Sequence, residues 1–141
     1  MAILPAAFVA GPAPILAAND RYGDVTVGGI RTARIGRGGL AGLMLADCLE
    51  ARTADANPKL VFASNGHAIA LAAQDGNFRD TLSQADIIHA DGQAVVFASR
   101  LTKSPIPERS ATTDFIHDAA ALAARSAMTR SEEHTSELQS L

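Results

Sequence analysis

Asp91, Asn65 and Arg109 are the residues of this chain whose types and surroundings could do chemistry. Asp91 directly follows the apolar run Ile87-Ile88-His89-Ala90 and precedes Gly92 and a helical pattern. A carboxylate at an open strand end can reach a substrate hydroxyl and act as a general base. The same carboxylate can instead cap the following helix, accepting N–H bonds from its first turn for about 1 kcal/mol. Gly92 either lets something approach the backbone closely or marks a tight turn. Asn65, which ends the run Val61-Phe62-Ala63-Ser64, either caps the next helix or offers its amide to sugar or phosphate oxygens. Arg109 follows Pro107-Glu108. It either pairs with Glu108 or a neighbouring helix end, or clamps a pyrophosphate, whose paired oxygens suit a planar guanidinium.

Other groupings are weaker. His67, His89 and Asp91, with Asp86 nearby, could be drawn as a metal site, but no His-x-x-x-His or Cys-x-x-Cys spacing supports it, and no metal is expected. His117-Asp118 reads as a solvated helix face. There is no nucleophile elbow, phosphate-binding P-loop or dinucleotide fingerprint, and Gly36-Arg37-Gly38-Gly39 reads as a turn before a helix.

The elements that must position these residues are legible in the pattern. Val25 to Ile35 is two alternating runs about Gly28-Gly29, a hairpin signal. A helix is expected from Gly38 to about Arg52, with Leu40, Leu43, Met44 and Cys48 at helical spacing, broken by Asn57-Pro58. Lys59 to Ser64 reads as a buried strand, Gly66 to Gln74 as a short helix stopped by Asp75-Gly76, and Phe78 to Gln84 as another helical piece. Asp86 to Ala90 is a second strand, followed by a helix from Gly92 to Leu101 with Val95, Val96 and Ala98 inward. Ser104-Pro105-Ile106-Pro107 is a rigid connector. A last helix over 114–127, capped by Thr112 or Thr113, would bury Phe115, Ile116, Ala119, Leu122 and Ala123. Strands alternating with helices predict an α/β fold with a parallel sheet. In such a sheet Asn65, Asp91 and Arg109 fall near the carboxyl edge of the strands, where these folds build their sites.

Composition bounds the rest. The 141 residues amount to about one domain, and the formal charge of −3 offers no clustered basic excess for nucleic acid. The single cysteine, Cys48, cannot form an internal disulfide and fits a reducing compartment. Without Trp, the core must rest on Ala, Leu, Val and Ile. Residues 1–23 read as a poorly ordered extension: Pro5, Gly11, Pro12 and Pro14 break any span short of the roughly 20 apolar residues a membrane helix needs. Residues 130–140, Arg-Ser-Glu-Glu-His-Thr-Ser-Glu-Leu-Gln-Ser, resemble residue for residue the translation of a common sequencing adapter. Residues 130–141 are therefore set apart from the fold, and the domain is expected over 24–129. Setting aside the one Arg and three Glu of that tail leaves the two charge signs almost balanced.

Taken together, the motifs resemble the WecG/TagA/CpsF family of bacterial glycosyltransferases (glycosyltransferase family 26) over about residues 24 to 128. Asn65 matches the Asn that ends the family's first strand motif, and Asp75, Phe78 and Arg79 match its D-x-x-[FY]-R segment. Ala85-Asp86 with Asp91-Gly92 match A-D-x-x-x-x-D-G, and Glu108, Arg109 and Asp114 match the last motif, E-R-x-x-G-x-D. Ala63 stands where the family often has Thr, and Thr112 replaces the usual Gly. The family's C-terminal half, which completes the sheet and much of the nucleotide-sugar site, is absent.

The resemblance implies a truncated Rossmann-like parallel sheet with flanking helices and an N-terminal β-hairpin. It implies transfer of an N-acetylmannosamine-type sugar from a UDP-sugar donor to a polyprenyl-diphosphate-linked acceptor, with inversion and without cofactor or essential metal. The setting would be cytoplasmic, peripheral at the inner face of the cytoplasmic membrane, with oligomerisation open. Asp91 would be the base, Asn65 and Gly92 would help hold substrate, and Arg109 would steady the diphosphate. The chain as it stands is expected to fold poorly, with one sheet edge unpaired, and to lack transferase activity. The rival readings are a non-catalytic α/β module that binds a sugar nucleotide or a partner, and a metal-dependent phosphohydrolase built on His89 and Asp91.

Overall fold

The computed structural model describes residues 22–53 and 57–130. The expected tail beyond Arg130, and all but Tyr22 and Gly23 of the N-terminal extension, lie outside the described residues. The architecture is mixed α/β and Rossmann-like: an N-terminal antiparallel hairpin, a parallel strand pair and five helices.

β1 (Asp24–Val27) and β2 (Ile30–Ala33) pair from Asp24↔Ala33 to Val27↔Ile30. Gly28 and Gly29 make the two-residue turn at φ of +57° and +81°, both in the left-handed region that such a turn requires. A Cβ at Gly28 would also strike the side chain of Ile69. The hairpin tip is thereby seated on the following helical layer.

β3 (Val61–Ser64) and β4 (Ile87–Ala90) run parallel, from Val61↔Ile87 to Ser64↔Ala90, and β2 packs beside β4. Among the described residues β3 has no strand on its outer edge. The alternation of side chains across this pair sorts the core. Val61 and Ile87 pack with Leu40 and Leu43 of α1 (Arg37–Ala51) and Phe115 of α5 (Thr112–Arg125). On the opposite face, Phe62 and Ile88 meet Ala72 of α2 (Gly66–Gln74) and Leu82 of α3 (Gly76–Ser83). Ala90 joins Val25 and Val27 of the hairpin with Val95 and Val96 of α4 (Gln93–Ser99) and Ile106 of the connector.

Several local expectations are corrected. Cys48 is exposed rather than packed. Ala98 is exposed and Ser99 takes its place in the core, because on so short a helix Val95, Val96 and Ser99 form the buried stripe and Ala98 lies on its flank. α5 starts at Thr112, its N-cap position is Ala111, and neither Thr112 nor Thr113 caps it. Only Phe115 of its expected face is fully buried; Ile116, Ala119, Leu122 and Ala123 are half-buried. α3 begins two residues before Phe78, because Asp75 both ends α2 and caps α3, accepting from the N–H groups of Asn77 and Phe78 at 2.9 and 3.2 Å.

Candidate active site

Two strand ends and one helix start converge at the carboxyl edge of the parallel pair. The carbonyl of Ser64, last residue of β3, accepts N–H bonds from both Asp91 and Gly92, at 2.9 and 3.1 Å. These bonds lock the chain leaving β4 against the chain leaving β3. Gly92 completes the junction: a Cβ there would stand 3.0 Å from both Cα and Cβ of Asn65. Its φ of −84° is available to any residue, so the glycine is required for the close approach and not for its backbone conformation. The partner that comes close is thus the loop bearing Asn65.

Asn65 is the N-cap of α2, its Oδ1 accepting from the N–H of Ala68 at 2.9 Å. That bond fixes which end of the amide is oxygen. The amide nitrogen makes no bond to any described residue, so its hydrogens remain available to a ligand. Capping and an unspent donor are therefore compatible in one side chain.

Asp91 does not cap α4. Gly92 occupies the N-cap position, and no side-chain cap bond is made there. The half-buried Asp91 carboxylate instead meets the hydroxyl of Thr112, in the first turn of α5, across 3.4 Å. At that length the contact is weak. The carboxylate is held near a defined place while its lone pairs remain largely unspent.

Arg109 is exposed and pairs with Asp114 at 3.3 Å rather than with Glu108, which is bonded elsewhere. An exposed pair of this kind contributes little, so an anionic ligand can compete for the guanidinium at small cost. The 106–111 segment runs alongside the sheet, the Ser110 N–H donating to the carbonyl of Ala90 at 2.7 Å and its hydroxyl to Ile35 at 3.3 Å. It thereby carries Arg109 and Thr112 to the same edge as Asp91.

His89 belongs to the core and not to the open edge. It is 2 % exposed and lies edge-on to Phe115, ring centres 5.3 Å apart. Loss of solvation holds its imidazole below the ordinary value of 6.5; the Ser110 backbone and the charge of Asp91 oppose that shift without cancelling it. Two buried polar atoms beneath the site, Ser64 Oγ and His89 Nδ1, have no hydrogen-bond partner. His67 and His117 are exposed, and Asp118, still open to solvent as expected, also bridges to Arg37 at 2.6 Å. Among the described residues no three potential metal ligands gather.

The structure thus brings Asn65, Asp91, Gly92 and Arg109 to one edge. The Thr112 contact with Asp91 and the Glu108 contact described below escaped the sequence, since each joins residues far apart in the chain with no local pattern to signal them. The carboxyl edge of the parallel pair, where open α/β sheets build their sites, carries a carboxylate that caps no helix, an amide donor and an exposed guanidinium paired with Asp114. The family described as "Glycosyl transferase WecG/TagA/CpsF family" matches residues 31–130, and the chain belongs to it. A comparison with curated proteins finds no match. The activity of the family is glycosyl transfer, with a sugar donor and an acceptor as substrates.

Proposed function

We propose that this domain transfers an N-acetylmannosamine-type sugar from a UDP donor to a polyprenyl-diphosphate-linked sugar, in the synthesis of cell-surface polysaccharide. The observation that carries the reading is the state of Asp91: a carboxylate at the carboxyl edge, relieved of the capping role by Gly92. In this reading Asp91 takes the proton of the acceptor hydroxyl as its oxygen bonds to the anomeric carbon. The bond from that carbon to the UDP phosphate oxygen breaks on the opposite side, so configuration inverts. UDP departs with the electron pair, its charge met by Arg109. Asn65 donates its amide hydrogens to substrate oxygens, and the glycine at 92 keeps the Asn65 and Asp91 loops close enough to serve one substrate. A lipid-linked acceptor places the reaction at the cytoplasmic face of a membrane, with the enzyme bound peripherally; no helix among the described residues is long and apolar enough to cross one.

The test is a transfer assay on the full-length protein with UDP-N-acetylmannosamine and a polyprenyl-diphosphate-linked sugar, in the presence of chelator. The expected product is the lipid-linked disaccharide with inverted anomeric configuration, at a rate the chelator leaves unchanged. Retained configuration, or UDP release that needs no acceptor, would contradict the proposal.

A further inference from the structure

Helix α1 brings no cap of its own. Gly36 stands at its N-cap without a side chain, and its first turn holds no acidic residue. The N–H of Arg37 donates instead to Oε1 of Glu108 at 2.8 Å, across a separation of 71 residues. A charged acceptor strengthens that bond, and the positive end of a helix dipole favours an anion there. The fit is specific to glycine at 36. A Cβ at that position would fall 2.5 Å from Oε1 and 3.1 Å from Cγ of Glu108. Gly36 has φ −87° and ψ 172°, extended backbone that any residue adopts, so the missing side chain serves to make room for the Glu108 carboxylate.

Glu108 adjoins Arg109, and the chain around them is pinned at two other points. The Ile106 N–H donates to Ser99 Oγ at 2.9 Å, and the Ser110 N–H to the carbonyl of Ala90 at 2.7 Å. Between these anchors, Glu108 is the side chain that ties the loop to α1. The same helix end is tied to α5 by the Arg37–Asp118 bridge. We propose that Glu108 is a positioning residue for Arg109. By spending its carboxylate on α1, it fixes the loop from which the guanidinium is presented and removes itself as a competing partner. The inference rests on the reading of Arg109 as the group that meets the donor diphosphate.

The test uses the full-length protein with UDP as the probe, and amide hydrogen exchange as a readout that needs no ligand. Glu108→Ala should speed exchange at the Arg37 and Ser110 amides, whose N–H groups are bonded in the original, and weaken UDP binding about tenfold. Glu108→Gln keeps an acceptor oxygen and should stay near the unaltered protein in both. Gly36→Ala should reproduce the Glu108→Ala result with Glu108 present, since its methyl expels the carboxylate without disturbing the backbone. In an Arg109→Ala background, Glu108→Ala should cost no further UDP affinity. Unchanged exchange at the Ser110 amide would overturn the proposal, as would an affinity loss of equal size with and without Arg109. Failure of the unaltered protein to bind UDP would overturn the donor reading of Arg109, and the exchange comparison alone would then decide the anchoring.

Discussion

Asn65 and Asp91 both stand between a strand and a helix, yet only Asn65 caps the helix that follows it. The difference is one residue of register: after β4 the helix begins one step later, so Gly92 takes the cap position and frees the carboxylate. Capping by Asn65 was legible because the bond reaches only three residues along the chain. The freedom of Asp91 was not, since it depends on where the Gly92 backbone sits against Asn65. This separation gives a direct prediction. Asn65→Ala should lower stability by about 1 kcal/mol through loss of the cap, whereas Asn65→Asp keeps the accepting oxygen and should melt like the original. Both lose the amide hydrogens, so both should weaken donor binding in calorimetry. Weakening by Asn65→Ala alone would mean that the side chain serves only the helix.

The order and kinds of elements were readable from periodicity, because short apolar runs punctuated by Gly, Pro, Asn and Asp leave few alternatives. What periodicity could not show was how the connector after α4 is held. Ile106 sits between two prolines, and its N–H is satisfied by the buried hydroxyl of Ser99, which itself donates to the carbonyl of Val96 at 2.7 Å. A helix-face pattern scores Ala98 as the better core residue, since it sees polarity and not the backbone that needs a partner. Ser99→Ala should therefore destabilise the domain by about 1–3 kcal/mol, the cost of leaving a buried N–H unpaired. Denaturant unfolding would measure it. A change near zero would mean that the connector finds another partner for Ile106.

At the scale of the whole molecule, the body of β4 and its carboxyl end have different roles. His89 and Ile87 build the packing against α1 and α5, while the chain just beyond Ala90 builds the site. Because burial depresses the His89 imidazole, the unfolded chain binds a proton there that the folded chain refuses. Stability should be full above the ordinary value of 6.5 and fall as pH drops from there toward the depressed folded value. Denaturant unfolding at pH 7.5 and 5.5 would show the loss, and His89→Leu should flatten it; an unchanged slope in that variant would place the titrating group elsewhere.

The central claim is that this edge is a catalytic site whose base is Asp91, and turnover of Asp91→Asn in the full-length protein tests it most directly. Since the carboxylate caps no helix, the variant should melt as the original does while transfer falls by at least about 100-fold. Transfer within a few-fold of the original, with the fold intact, would contradict the account.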